Sequence, residues 1–342
     1  MGRAYLNRAL KRLRPHPHRG DVIAAGAVPL ALFALVVELR MRQWSLGPRF
    51  TIVALIAALI LTMGLLAELE GEAPRAYHSI LLVSGLVPLA LALVLLAEVM
   101  GAARPPGSGG IAWTFALEGL IAVLAARRAN SAVCTLIAAI AGGISVEAFV
   151  TLVFKPSGLG TFRAMLVVLS LAYVTGAVRL RDSHRRHAVA LVNAAGLAAL
   201  VLGALYLLAI VLSPLLSKAV PGLFVSGASS APFGWKLYLM AMGFGLIAYA
   251  AADREPGPGY IGAAVVVTVA VLASAPLTGP GSLIGWPLFL LVIGAAGLAI
   301  GLRPREPLPP PPGPREPAPT VPIAPSGGAA PTVPLAPVDS DE

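Results

Sequence analysis

Charged side chains are scarce in this chain. Only 12% of its 342 residues are charged, whereas 57% are hydrophobic, and the mean hydropathy is +0.84. A soluble domain carries about a quarter of its residues as Asp, Glu, Lys or Arg. Apolar stretches of roughly 16 to 25 residues recur along the chain, the length that crosses a hydrocarbon core about 30 Å thick. The composition therefore predicts an integral membrane protein that crosses the bilayer many times.

Residues that carry chemistry are also few. The one cysteine, Cys134, excludes an intrachain disulfide. No aspartate and no histidine lies in the interior of an apolar stretch, since Asp21 is at the boundary of the first one, and this disfavours intramembrane aspartyl proteases and Ser–His hydrolases. No phosphate-binding GxxxxGK[ST] sequence is present. We therefore expect no enzyme, no cofactor and no metal site, and we interpret the histidines as parts of solvated basic loops: His16, His18, His78, His184 and His187.

The apolar pattern predicts an all-α transmembrane bundle of about ten helices, over residues 21–302. A basic segment, residues 1–20, precedes the bundle, and a proline-dense tail, residues 303–342, follows it. The tail has almost nothing to bury and is expected to be disordered. The ten predicted spans are 21–39, 51–67, 80–100, 111–126, 131–154, 164–178, 188–212, 235–252, 260–275 and 284–302.

Basic residues indicate how the bundle is oriented. With both termini in the cytoplasm, alternation of ten spans places 17 of the 25 Lys and Arg residues on the cytoplasmic side. All four tryptophans then fall at the opposite interface, where this residue is enriched. Leu6, Leu10 and Leu13 form an apolar stripe among basic residues, as in a helix on anionic headgroups. The pattern predicts a bacterial cytoplasmic membrane protein and no binding of nucleic acid, since no folded basic domain is present.

The tail contains a short repeat. "APTVPIAP" from Ala318 recurs as "APTVPLAP" from Ala330, so that Thr320 and Thr332 each precede an aliphatic residue by three positions. A phosphothreonine in this context resembles ligands of forkhead-associated domains, which read phosphate with basic side chains. Thr320 and Thr332 are candidate phosphosites for a cytoplasmic partner, and a duplicated proline-rich spacer without a partner is the alternative.

Another near-repeat lies in the first and third spans. "GAVPLAL" begins at Gly26 and "GLVPLAL" at Gly85, and each contains a proline, Pro29 or Pro88. Proline removes a backbone donor and leaves a carbonyl that a neighbour or water must satisfy. The pair could mark a duplicated helical hairpin or a transport pathway lined by broken helices. It could equally be a coincidence in a sequence dominated by Leu, Ala, Val and Gly.

Four glutamates lie within the predicted spans. Glu38 and Glu98 fall near span ends and are expected to form interfacial ion pairs with Arg40, Arg42 or Arg104. Glu118 and Glu147 lie deeper, in adjacent spans joined by "RRAN". A carboxyl group at such depth usually faces the bundle interior or water. Glu118 and Glu147 are the candidate site for a proton or cation. The alternatives are a neutral carboxyl hydrogen-bonded to Thr114, Ser145 or a backbone carbonyl, and a lipid-facing side chain that reaches to the interface.

The hairpin from Trp113 to Arg128 has a "W…LEGL…RR" pattern. In this it resembles uncharacterised polytopic inner-membrane proteins of G+C-rich bacteria, a resemblance that implies a helical bundle and no particular activity. Two functions remain open. One is a small-solute or ion permease that uses Glu118 and Glu147. The other is a scaffold or assembly factor that recruits cytoplasmic partners through its basic ends and its tail.

Overall fold

The computed structural model describes residues 15, 19–41, 43–67, 74–156, 158–219 and 231–274. In these residues the chain forms nine α-helices and no strand. The helices are α1 (Gly20–Arg40), α2 (Leu46–Leu66), α3 (Ala76–Val99), α4 (Ser108–Ala129), α5 (Ala132–Phe154), α6 (Gly160–Leu180), α7 (Arg185–Ala219), α8 (Phe233–Asp253) and α9 (Pro256–Ser274).

Eight of these helices, α1 to α8, are long and apolar enough to cross a membrane. The apolar part of α9, Pro256–Leu272, is shorter. The prediction of an all-α, multi-span membrane protein is thus confirmed. The two spans that looked short in the sequence, 111–126 and 164–178, belong to helices of 22 and 21 residues. The tenth predicted span, the basic residues 1–14 and the tail lie outside the described residues.

Short connections pair the helices into hairpins. The pairs α2–α3, α4–α5, α6–α7 and α8–α9 each pack closely, and α1 packs on α3. The α4–α5 hairpin contacts α3 on one side and α7 on the other, while α9 packs on α7. Within the described part of the chain, α4 and α5 thus join a group formed by α1, α2 and α3 to a group formed by α6, α7, α8 and α9.

Small residues allow these helices to approach closely. A Cβ atom built on Gly85 would lie 2.8 Å from the backbone nitrogen of Leu61, so only glycine fits between α3 and α2 there. On α4, alanines face Leu82, Leu86 and Leu61 in one buried cluster. In a bilayer such close packing, and not water exclusion, holds helices together.

The two "VPLAL" segments occupy different environments. Pro29 is exposed on α1, and nothing lies within 4 Å of a Cβ built on Gly26. Pro88, by contrast, is buried in α3, and Gly85 is pressed against α2. The equivalent prolines therefore do not line a shared pathway in these residues, and ancestral duplication stays a prediction.

Ion pairs join α1, α2 and α3 at one end. Glu38 accepts hydrogen bonds from Arg49 at 2.8 Å and from Arg104 at 2.6 Å, and Arg104 lies 3.7 Å from Glu98. The expected pairing with Arg104 is therefore observed. The principal buried partner, however, is Arg49, whose side chain is 2% exposed.

Asp253, the last residue of α8, is an acceptor shared by residues at the end of α6 and the start of α7. Arg181 donates to its carboxylate at 2.8 Å, and Arg185 donates to its backbone carbonyl. The hydrogen bond from Arg181 to the Asp253 carboxylate is the main reason that the pKa of Arg181 is raised.

The interpretation of the histidines as solvated loop residues is wrong for His78, which is 2% exposed within α3. His187 on α7 contacts Thr135 and Asn130 of the α4–α5 hairpin.

Candidate functional site

The α4–α5 hairpin carries both candidate carboxylates. Asn130 ends α4 in the left-handed conformation, at φ 47°, which reverses the chain within two residues. Ser145 on α5 donates a hydrogen bond to the carbonyl of Ala112 on α4 at 2.8 Å. Further along, a Cβ built on Gly119 would lie 3.5 Å from the backbone nitrogen of Gly142. The two helices are therefore antiparallel and in close contact.

Both glutamates are buried. Glu118 is 4% exposed and Glu147 is 8% exposed. One oxygen of each, Oε2 of Glu118 and Oε1 of Glu147, is enclosed without a hydrogen-bond partner among the described residues. A buried polar atom in this condition is unfavourable by about 1–3 kcal/mol.

The hydroxyl groups that could have bonded these carboxyls are engaged elsewhere. Thr114 donates to the carbonyl of Ile111 at 3.0 Å, and Ser145 donates to Ala112. Neither of these two hydroxyl groups therefore donates a hydrogen bond to Glu118 or Glu147.

The two glutamates stand at different levels of the hairpin. Glu147 lies two residues beyond Ser145 and so near the level of Gly110, eight residues before Glu118. At 1.5 Å per residue, this separates them by about 12 Å along the helix axes. Glu118 shares a face of α4 with Ala122, which is part of the cluster between α3, α4 and α5.

Glu147 lines a cavity, and Glu118 is not among the described residues that line it. The cavity has a volume of about 630 Å³ and lies between the start of α4 and helices α5, α6 and α7. This volume falls within the range of about 300–1,000 Å³ typical of small-molecule sites. The polar residues that line it are Ser108, Glu147, Thr151 and Tyr173.

Two of these polar side chains already have partners. The Thr151 hydroxyl donates to the Glu147 backbone carbonyl at 2.8 Å, and the Tyr173 hydroxyl donates to the Ala139 carbonyl at 2.6 Å. The Glu147 carboxyl is thus the cavity-lining acidic group, and it retains an oxygen without a partner among the described residues. Chemically it can accept a hydrogen bond or balance a positive charge.

Helix α6 forms one wall of the cavity. It packs extensively on α7 but makes few contacts with α5. The Tyr173 hydrogen bond to Ala139 is one of those contacts, and it depends on Gly143, where a Cβ atom would lie 2.7 Å from the Tyr173 hydroxyl. Sequence analysis did not single out Tyr173, although a tyrosine in the middle of an apolar stretch is a signal that its hydroxyl has a partner.

The remaining candidate residues belong to the tail, residues 303–342. Thr320 and Thr332 lie outside the described residues. In the described ranges, no group of three His, Cys, Asp or Glu side chains is placed to hold a metal ion.

No protein-family model matches the chain, and no curated protein is significantly similar to it. The geometry of the Glu147 cavity is therefore the principal guide to function.

Proposed function

We propose that this protein is a permease for a small solute or ion, and that its binding site is the cavity lined by Glu147. The observation that carries the proposal is a combination of three features: a glutamate that is only 8% exposed, a carboxyl oxygen without a partner among the described residues, and an adjoining cavity of about 630 Å³. A membrane bundle that needed only to be stable would place an apolar side chain there, because a buried carboxyl group in a bilayer is unfavourable.

The position of the cavity suits transport. It lies between the α4–α5 hairpin and the α6–α7 hairpin, which meet mainly through α5 and α7. Small rigid-body movements of one hairpin against the other would change access to Glu147 from the two sides of the membrane, which is the general logic of alternating access. Glu118, the other carboxyl group of this hairpin, is not among the described residues that line the cavity, so we place the site on Glu147 alone.

The test is solute flux into proteoliposomes that contain the purified full-length chain. Ions and small metabolites would be screened for uptake by the wild type, and positive solutes would be repeated with Glu147→Gln. We expect Glu147→Gln to abolish uptake while the protein remains folded by size-exclusion chromatography. Uptake that is unaffected by Glu147→Gln would refute this site, and the absence of uptake for every solute would refute transport.

We also propose a membrane and an orientation for the bundle. We place the bundle in a bacterial cytoplasmic membrane with both termini in the cytoplasm, supported by the distribution of Lys and Arg. The basic residues 1–20 would then rest on anionic headgroups, and the tail 303–342 would be available to a cytoplasmic partner.

The scaffold or assembly-factor function remains the alternative, supported by the tail repeat around Thr320 and Thr332. Deletion of residues 303–342 separates the two functions, because it should leave flux intact in a permease. A scaffold should instead lose its cellular role on this deletion and keep it with Glu147→Gln.

A further inference from the structure

The described residues that line the Glu147 cavity include one acidic side chain, that of Glu147, and no Lys, Arg or His. Arg163 follows the lining residue Phe162, but its guanidinium lies over the Tyr206 ring, 4.1 Å from the ring centre. A carboxylate buried without a counter-charge is strongly unfavourable, so a cation that enters the cavity would supply the missing charge.

The rest of the cavity wall is hydrophobic. It is built mainly from branched aliphatic side chains that cannot hydrate a small inorganic ion: Ile111, Ile140, Ile144, Leu166, Leu169 and Leu197. A bare Na⁺ or K⁺ would lose its hydration shell there and gain one carboxylate in return. An organic cation, by contrast, would bury its apolar body against these side chains, each buried methylene contributing about 0.8 kcal/mol.

Aromatic side chains complete the lining. The rings of Phe162 and Tyr173 both line the cavity, and the Tyr173 hydroxyl is held by Ala139. An organic cation within about 6 Å of a ring face gains cation–π attraction that is strongest where water is excluded. Negative charge, aliphatic walls and aromatic rings therefore coincide in one cavity.

We propose that the ligand of this cavity is a monovalent lipophilic organic cation, with its charge held by the Glu147 carboxylate and its apolar body packed between α5, α6 and α7. This substrate class rests on the proposed permease function for its role in transport, but the binding itself does not require transport.

The experiment measures equilibrium binding of radiolabelled tetraphenylphosphonium to the full-length protein in nanodiscs of zwitterionic phosphatidylcholine. Tetraphenylphosphonium carries a permanent charge, and the neutral lipid avoids attraction by anionic headgroups. Neutral triphenylphosphine oxide serves as the matched competitor without charge. Empty nanodiscs give the background due to partition into lipid.

Three variants locate the site. Glu147→Gln keeps the shape of the side chain and removes its charge. Ala198→Phe fills the cavity from α7, because Ala198 is one of the lining residues. Glu118→Gln is the matched control, since Glu118 is equally buried but does not line the cavity.

We expect Glu147→Gln to weaken binding at least about tenfold, the effect of losing one charge-assisted contact. Ala198→Phe should also weaken it, Glu118→Gln should leave it within about twofold, and the neutral competitor should displace the probe poorly. Equal binding by wild type and Glu147→Gln would overturn the proposal. So would equal affinity for the neutral compound. Size-exclusion chromatography of each variant separates loss of the site from misfolding.

The binding experiment separates failure of the proposed cation site from failure of the proposed permease function. Binding without uptake would support the cation site and refute transport. Glu147-dependent uptake of inorganic ions or polar solutes, without tetraphenylphosphonium binding, would support transport and refute the lipophilic-cation class.

Discussion

Tyr173 on α6 donates its hydroxyl to the backbone carbonyl of Ala139 on α5, at 2.6 Å, across the wall of the Glu147 cavity. The contact is possible because Gly143, one turn further along α5, has no side chain in the way. Helix α6 otherwise has few contacts with α5, so this hydrogen bond is a principal link between the two walls.

Gly143→Ala should destabilise the protein through Tyr173. The added Cβ atom would lie 2.7 Å from the Tyr173 hydroxyl, which must move and release Ala139. Overpacking of this kind typically costs about 1–3 kcal/mol. We expect a thermal midpoint several degrees below wild type in detergent, measured by intrinsic fluorescence.

Tyr173→Phe provides the control for this prediction. It removes the hydroxyl that collides with the new Cβ atom, so Gly143→Ala should cost much less in the Tyr173→Phe background than in the wild type. Equal effects in the two backgrounds would show that the strain at Gly143 arises from another neighbour, such as Leu169, whose Cδ1 would be 3.5 Å away.

The helices could be predicted from the sequence because each is a long apolar stretch closed by basic or Pro/Gly-rich turns. All nine described helices overlap a predicted span, with α2 beginning five residues before span 51–67. The largest differences are at helix ends, where polar residues such as Arg49 continue the helix into the first turn. Hydropathy alone places such residues in a loop, because it carries no information about which neighbouring helix their side chains contact.

The site could be predicted only in part. Burial of Glu147 followed from its depth in an apolar helix, but its cavity depends on the gap between α5 and α6, which involves residues far apart in sequence. The same limit applies to His78, whose burial in α3 no local pattern indicated. The difference between Glu118 and Glu147 likewise depends on which helix each one faces.

Glu38→Gln should destabilise the protein more than Arg104→Gln. The substitution leaves Arg49, 2% exposed, without its anionic partner, and breaking a buried ion pair costs about 3–5 kcal/mol. Arg104 is 43% exposed, so solvent screens its pairs with Glu38 and Glu98, and its loss should cost less, about 1 kcal/mol for each pair. The two variants would be compared by thermal midpoint at low salt. Equal effects, or a larger effect of Arg104→Gln, would contradict the ranking.

Glu147→Met should make the protein more stable and abolish solute uptake. The change removes a buried oxygen that has no partner among the described residues and fills the space with a flexible apolar side chain. Each kcal/mol gained should raise the midpoint by about 2–4 °C. Residues kept for binding often reduce stability in this way.

Glu118→Met is the matched comparison, since Glu118 also has a buried oxygen without a described partner but does not line the cavity. It should raise the midpoint by a similar amount and leave uptake unchanged. A fall in stability for Glu147→Met would show that the carboxyl group has a structural partner. Loss of uptake with Glu118→Met would bring Glu118 into the transport mechanism.

Cysteine labelling should show that the α3–α4 and α6–α7 connections lie on opposite sides of the membrane. Cys134 is fully buried, so Cys134→Ala provides a background without reactive thiols. Ala103→Cys and Ser183→Cys then place single thiols at exposed positions of the two connections. In intact spheroplasts a membrane-impermeant maleimide should label Ala103→Cys, on the outer side. It should label Ser183→Cys only after permeabilisation, because the neighbouring Arg181, Arg185 and Arg186 favour the cytoplasm. The reverse pattern would invert the proposed orientation, and with it the side from which a cation reaches Glu147.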